Sequence, residues 1–150
     1  MNEPGETQIS EKTGSTSGTR CIVSSGKRKS ALARATITAG KGRVWINNIP
    51  LEIYTPDLAR EKIREPLILA GARSGEVDIR VNVSGGGIMG RADAARTAIA
   101  KGIIEFFNDE ELLKKMKEYD RSLIVSDIRR KLPKKPLGRG ARKKRQKSYR

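Results

Sequence analysis

The sequence predicts one folded domain that contains both strands and helices and is followed by an extended basic tail. Apolar and polar residues alternate over residues 31–39 and 77–84, which is typical of strands with one buried face. Apolar residues recur every three or four positions over residues 88–106, which is typical of a helix. Residues 129–150 carry twelve Lys or Arg and no Asp or Glu, so they supply +12 of the net charge of +15. One domain is also the expectation for 150 residues.

The N-terminal part is expected to begin with a disordered extension, residues 1–19, which is rich in Ser, Thr, Gly and Glu. Residues 21–24 predict a short strand in which Cys21 is a buried thiol. Residues 26–29 predict a basic turn that leads into the strand at 31–39. Because Cys21 is the only cysteine, the chain has no internal disulfide.

A hairpin and a helix are predicted next. Residues 44–46 and 49–51 are mostly apolar, and Asn47-Asn48 between them favours a tight turn. Thr55 is a candidate N-cap, and Pro56 suits the first helical position. We expect this helix to be kinked or ended by Pro66.

Two further helices follow the strand at 77–84. The first is expected to begin after three consecutive glycines, and the second to cover residues 109–118 with Asn108 as its cap. The predicted buried stripe of the long helix consists of Ile88, Ala92, Ala95, Ile99, Ile103 and Phe106. The basic tail, residues 129–150, contains helix-breaking Pro and Gly and too few apolar residues to fold alone, so we expect an extended coil.

The composition argues against catalysis and favours nucleic acid as the partner. The chain has no histidine, which removes the commonest general base and the commonest transition-metal ligand. With a single cysteine a zinc site is nearly excluded, and no carboxylate or lysine cluster suggests chemistry. We therefore expect no enzyme, no cofactor and no metal. We expect no signal peptide and no membrane span, and the positive charge favours a polyanion.

The glycine-rich segment allows three interpretations. Gly85, Gly87 and Gly90 spell G-x-G-x-x-G between a strand and a helix, the pattern of dinucleotide-binding loops. The alternating strand at 77–84 argues against that interpretation, because the first strand of such folds is apolar on both faces. The glycines could serve only backbone conformation and close packing. Alternatively, the helix N-terminus together with Arg91 could attract phosphate without nucleotide specificity.

Three segments resemble one family, the universal small-subunit ribosomal proteins numbered nine. Residues 26–35 resemble its opening G-[KR]-R-K-[ST]-A-x-A-R, and residues 85–103 resemble its signature G-G-G-x-x-G-Q-x-x-A-x-R-x-[GA]-I-A-[RK]-[AG]-[ILV]. The basic tail with its Ser-Tyr-Arg ending and the run Pro-Leu-Glu-Ile-Tyr at 50–54 are similar to the archaeal and eukaryotic branch. Arg91 departs from the signature, which usually has Gln there.

The resemblance implies an α+β fold that periodicity alone does not give. It is a two-layer sandwich with a mostly antiparallel four-stranded sheet, helices on one face, a left-handed βαβ crossover and an extended basic C-terminal tail. The resemblance covers an RNA-binding body (20–128) and the tail (129–150), and the expected disordered extension (1–19) lies outside it. The implied role is structural, in the head of the small ribosomal subunit in the cytoplasm.

The implied partners are the 3′ major domain of the small-subunit rRNA, neighbouring head proteins and the P-site tRNA, with no membrane. Residues assigned to rRNA are Lys27, Arg28, Lys29, Arg34, Gly86, Gly87, Arg91, Arg129, Arg130, Lys131, Lys134, Lys135, Arg139, Arg142, Lys143, Lys144 and Arg145. Those assigned to P-site tRNA are Lys147, Ser148, Tyr149 and Arg150. Two alternatives remain open: a non-ribosomal RNA-binding or rRNA-processing factor, and a small nucleotide-binding enzyme that uses the glycine loop.

Overall fold

A computed structural model describes residues 20–143 and 147–148. The predicted disordered extension therefore lies outside the described residues. The elements are β1 (Cys21–Arg28), β2 (Ala31–Ala39), β3 (Val44–Ile46), β4 (Ile49–Pro50), α1 (Asp57–Ala70), β5 (Val77–Ser84), α2 (Ile88–Phe107) and α3 (Glu110–Tyr119), with short 3₁₀ turns at Leu51–Ile53, Gly71–Glu76 and Arg121–Leu123.

The strands form one mixed sheet in the order β1-β2-β5-β3-β4. The β3–β5 pair is parallel and the other pairs are antiparallel. The sheet thus has five strands, and the expected count of four is wrong. The additional pairing is the two-residue β4, which exists because Asn47 and Asn48 adopt positive φ angles of 49° and 69° and close a tight hairpin. The chain crosses from β3 to β5 through α1, and the left-handed sense of this crossover stays a prediction.

One face of the sheet is buried beneath helices and the other is open. On β2, Ala31, Ala33, Ala35 and Ile37 are buried, whereas the intervening residues are partly or fully exposed. The inward side chains of β5 are likewise all buried. Alanines on β2 and α2 let the two elements approach closely. This packing gives the α+β architecture with one uncovered sheet face.

The first hairpin differs from its prediction. β1 extends to Arg28 and pairs along its whole length with β2, so Lys27 and Arg28 lie on a strand instead of in a turn. Gly26 lies within this strand opposite Ala33. Glycine is required there because α2 passes so close that a Cβ atom would collide with the Ala94 carbonyl oxygen. The turn consists of Lys29 and Ser30, with Lys29 at a φ of 54°. Cys21, predicted to be buried, is exposed at the start of β1.

The helix boundaries also correct several predictions. α1 begins at Asp57 without a side-chain cap from Thr55, and it continues through the buried Pro66. Ile88, placed in the buried stripe of α2, is exposed at the first turn. The cap of α3 is Asp109, whose carboxylate accepts hydrogen bonds from the Glu111 and Leu112 amides, whereas Asn108 ends α2 in the left-handed conformation.

Candidate RNA-binding surface

Three segments that are far apart in the sequence meet at one end of the sheet. They are the β1–β2 turn, the glycine loop before α2 and the first residues of the tail. A Cβ atom built on Gly85 would lie 2.6 Å from the Ser30 carbonyl oxygen, and one on Gly86 would lie 2.9 Å from the Ala31 Cβ atom. The turn and the tail then border a concave surface of about 920 Å³, which we call the basic groove. It is lined by Arg28, Lys29, Ser30, Leu32, Arg129, Arg130 and Lys131.

The basic groove carries a strong excess of positive charge. Five of its lining side chains are Lys or Arg, and this lining includes no acidic residue within the described part of the chain. Lys29, Arg130 and Lys131 are exposed. Closely spaced cations with exposed ends attract phosphate oxygens. The basic groove is therefore suited to bind the backbone of a nucleic acid.

The glycines of the loop differ in backbone conformation and in the space around them. Gly85 and Gly86 have φ angles of 70° and 63°, so both need the left-handed conformation that glycine adopts without strain. Gly87 is different, because its φ is −91° and a Cβ atom there would meet nothing within 4 Å. It precedes α2, and within the described residues no side chain caps the amides of the first turn. These amides therefore face an exposed surface beside Arg91.

On the open sheet face Arg34 is exposed and Lys27 is half-buried, and both have polar neighbours that sequence reasoning did not assign. Arg34 on β2 lies opposite Asn82 on β5. The two strands contribute to a second concavity of about 870 Å³, which we call the sheet groove. It is lined by Ser25, Gly26, Lys27, Leu32, Ala33, Arg34, Asn47, Asn48, Asn82, Val83, Ser84 and Ser126. Leu32 and the strand β1 border both grooves, so the two surfaces are continuous.

The polar lining of the sheet groove could have been found from strand alternation. Asn82 and Ser84 occupy the outward positions of β5, where the polar half of the pattern falls. Asn47, in contrast, could not have been assigned. Its side-chain amide donates to the Val83 carbonyl oxygen at 2.9 Å and its carbonyl accepts from the Val83 amide at 2.7 Å. Asn47 therefore extends the β3–β5 pairing and is fixed by the fold.

Arg28 lies on the helix-facing side of β1, away from the sheet groove. Its side chain forms ion pairs with Asp93 on α2, at 3.7 Å, and with Asp127 just before the tail. Only 26% of the side chain is exposed. The structure therefore brings Arg28 to the site while engaging it within the protein, and its predicted contact with RNA remains a prediction.

The end of the open face farthest from the basic groove carries Asp78. Asp78 accepts hydrogen bonds from the Arg43 side chain and from the Lys41 and Arg43 amides. The Arg43 side-chain bond, followed by the two amide bonds, lowers the pKa of Asp78 to about 2. Arg43 and Arg80 also lie over the Trp45 ring, with Cζ atoms 5.2 and 5.4 Å from its centroid.

The tail residues divide into those the structure describes and those it does not. The described part of the tail contains no helix or strand. Lys134, Lys135, Arg139, Arg142, Lys143, Lys147 and Ser148 are all exposed. Lys144, Arg145, Tyr149 and Arg150 lie outside the described residues. Among the described residues no helix is long and apolar enough to cross a membrane, and no group of three potential ligands could hold a metal ion.

The protein has an α+β body with an open, polar sheet face, a cationic groove and a basic tail. These features are typical of a nucleic-acid-binding protein, and the described residues contain no catalytic constellation. A model of the family described as ribosomal protein S9/S16 matches residues 26–150, and the chain belongs to this family. The predicted family membership is confirmed.

Curated relatives support the same assignment. The chain is 57% identical over 129 residues to small ribosomal subunit protein uS9 of Picrophilus torridus, covering 86% of this chain and 97% of the relative. The protein of the same name from Methanothrix thermoacetophila is 56% identical over 131 residues, covering 87% and 99%. That of Thermoplasma volcanium is 54% identical over 129 residues, covering 86% and 98%. These archaeal relatives agree with the predicted branch. Proteins of this family are structural components and not enzymes, so the alternative of a nucleotide-binding enzyme is wrong.

Proposed function

We propose that this protein is a structural constituent of the small ribosomal subunit that holds rRNA along the basic groove, the sheet groove and the tail. The observation that carries the proposal is the meeting of the β1–β2 turn, the glycine loop and the tail at one cationic surface. Family membership supplies the ribosomal setting, and the protein acts in translation in the cytoplasm as part of the ribosome.

Phosphate contacts suit the side chains that these surfaces present. Lys29, Arg130 and Lys131 offer charged donors at the groove, and Arg91 places another beside the open first turn of α2. Arginine can bind phosphate with two parallel hydrogen bonds, whereas lysine acts as a point charge. Such contacts fix the position of a protein on RNA without reading sequence. We assign Asn82 and Ser84 to hydrogen bonds with sugar or base atoms over the sheet groove.

The finer location follows from the family resemblance. We assign the protein to the head of the subunit, in contact with the 3′ major domain of the rRNA and with neighbouring head proteins. The tail would thread between RNA segments, with residues 129–145 on rRNA. Its last residues, 147–150, would touch backbone phosphates of the P-site tRNA. Support comes from the exposed, cationic, irregular character of the described tail residues.

A crosslinking map on intact small subunits tests the assignment. A photoreactive amino acid would be placed at Lys29, Arg34 and Arg130, and at Lys114 on α3 as an exposed control outside both grooves. The three groove positions should crosslink to the 3′ major domain and the control should not. Crosslinks from Lys114 alone would place RNA on the opposite side of the body and overturn the proposal.

The remaining alternative is an RNA-binding or rRNA-processing factor that works away from mature ribosomes. Cosedimentation distinguishes the two. A structural constituent should sediment with small subunits almost completely at moderate salt, whereas a processing factor should be found mainly in free form or on precursor particles.

A further inference from the structure

We propose that residues 120–129 form an anchor that fixes where the tail leaves the body, with Arg28 and Asp127 as its positioning residues. The functional value of the anchor rests on the proposed function, since a tail that enters RNA must start in the right place. The existence of the anchor does not depend on RNA, and it can be tested on the free protein.

The first part of the anchor, residues 120–127, runs along α2, and we call it the strap. The Arg96 guanidinium pairs with Asp120 at 2.9 Å. The Thr97 hydroxyl shares its proton between the Asp93 carbonyl oxygen of its own helix, at 3.0 Å, and the Ser122 carbonyl oxygen, at 3.2 Å. Leu123, which directly follows these contacts, is completely buried in the core. One helical turn further along α2, the Lys101 ammonium donates to the Ser126 hydroxyl at 3.2 Å. The strap is therefore fastened at successive turns of the helix.

Asp127 ends the strap and is the last acidic residue of the chain. One carboxylate oxygen pairs with Arg28 and also with the Arg129 guanidinium, the latter at 2.7 Å. The other oxygen accepts a hydrogen bond of 2.8 Å from the Arg129 amide. A single carboxylate thus joins β1 to the first cation of the tail.

Burial makes this pairing more durable than a surface ion pair. The Asp127 side chain is 15% exposed and that of Arg28 is 26% exposed, so salt screens their attraction less than it would in open water. Arg28 is held from its other side by Asp93, which Lys62 of α1 also contacts at 2.8 Å. The anchor is therefore connected to three elements of the body.

Charge explains why such an anchor is needed. The tail carries +12 and starts beside a groove that is itself cationic, so repulsion would drive its first residues away from the body. Asp127 and Asp93 neutralise Arg28 and Arg129 at this point. Arg28 holds the start of the tail through its ion pair with Asp127. We therefore assign Arg28 a positioning role instead of a direct RNA contact.

The test is the backbone order of the full-length, RNA-free protein, measured by ¹⁵N relaxation. In the wild type, residues 126–129 should have order parameters near the value of about 0.85 found in rigid backbone. Asp127→Asn, which keeps the shape of the side chain, should lower them to below about 0.6, the flexible range. Arg28→Ala should do the same, while amide shifts of β5 report that the body is still folded.

Asp57→Asn is the matched control, because it changes the net charge by the same amount at a side chain that is 80% exposed. It should leave residues 126–129 unchanged. The anchor is overturned if the wild-type order parameters are already in the flexible range, if Asp127→Asn leaves them unchanged, or if Asp57→Asn lowers them equally. None of these outcomes depends on RNA binding, so failure of the anchor is separate from failure of the proposed function.

Discussion

The Nε atom of Arg91 donates a hydrogen bond of 2.9 Å to the carbonyl oxygen of Gly85. The bond ties the first turn of α2 to the glycine loop that precedes it and holds the guanidinium beside the open amides of that turn. A glutamine, usual at this position in the family signature, could also donate such a bond but would bring no charge. The arginine therefore adds a fixed cation to a surface where the helix dipole already favours anions.

Arg91→Glu should weaken the binding of the protein to an rRNA fragment of the 3′ major domain. One charge-assisted contact is worth about 1.5–3 kcal/mol, so we expect an affinity loss of about tenfold to hundredfold. The free fold should tolerate the change, because a carboxylate in a first helical turn interacts favourably with the dipole. Arg91→Gln should show a smaller loss.

Lys114→Glu controls for overall charge, because it makes the same charge change at an exposed position on α3. Equal losses for Arg91→Glu and Lys114→Glu would show that only net charge matters. The glycine loop would then have a packing role alone.

The packing role of the loop makes a separate prediction. Gly85→Ala should destabilise the body, because an L-residue in the left-handed region costs about 1–2 kcal/mol and the new methyl would also press on the Ser30 carbonyl oxygen. Gly87→Ala has an ordinary φ and open space, so it should cost only the poorer N-capping of alanine, about 0.5–1 kcal/mol. Urea unfolding measures both. Similar midpoints for the two variants would contradict the close contact between the loop and the β1–β2 turn.

The lowered pKa of Asp78 predicts how the free energy of unfolding changes at low pH. Hydrogen bonds from the Arg43 side chain, then from the Lys41 and Arg43 amides, hold its pKa at about 2, below the ordinary value of 3.8. A depressed carboxyl pKa contributes stability that is fully present above about 3.8 and is lost as the pH falls toward 2. Asp78→Asn should therefore lower the melting temperature at pH 7, and the difference from wild type should shrink between about pH 4 and pH 2. Asp57→Asn is the control, and a difference that persists at pH 2 would contradict this assignment.

The sequence predicts local elements and charge better than it predicts how segments come together. Strand alternation correctly places β2 and β5, whereas the extended tail that the charge run predicts stays a prediction. The predicted turn at 26–29 is placed too early. Gly26 suggests a turn in the sequence, but it is a strand residue that α2 crosses closely. That crossing is a tertiary contact and leaves no local signal. The convergence of Ser30, Gly85 and Lys131 likewise depends on strand order, which periodicity does not encode.

The tail should carry most of the salt dependence of RNA binding. If about half of its twelve cations meet phosphates, the logarithm of the affinity should fall with the logarithm of salt concentration at a slope of roughly −4 to −5. Deletion of residues 129–150 should remove most of this slope, leaving only the contribution of residues such as Lys29, Arg34 and Arg91. Filter binding over a salt series measures the slope. If deletion left it unchanged, RNA binding would reside in the body.

Deletion of residues 148–150 should leave subunit assembly intact and speed the release of P-site tRNA. Eleven of the twelve tail cations precede the deleted residues, so rRNA attachment is retained. The loss of one charge-assisted phosphate contact, about 1.5–3 kcal/mol, should raise the dissociation rate about tenfold to hundredfold. Phosphate carries no sequence information, so the increase should be similar for several different tRNAs. Ribosomes with Lys114→Ala, which also lose one exposed cation, should release tRNA at the normal rate. Normal dissociation from the truncated ribosomes, with a normal yield of subunits, would mean that the tail stops short of the P site.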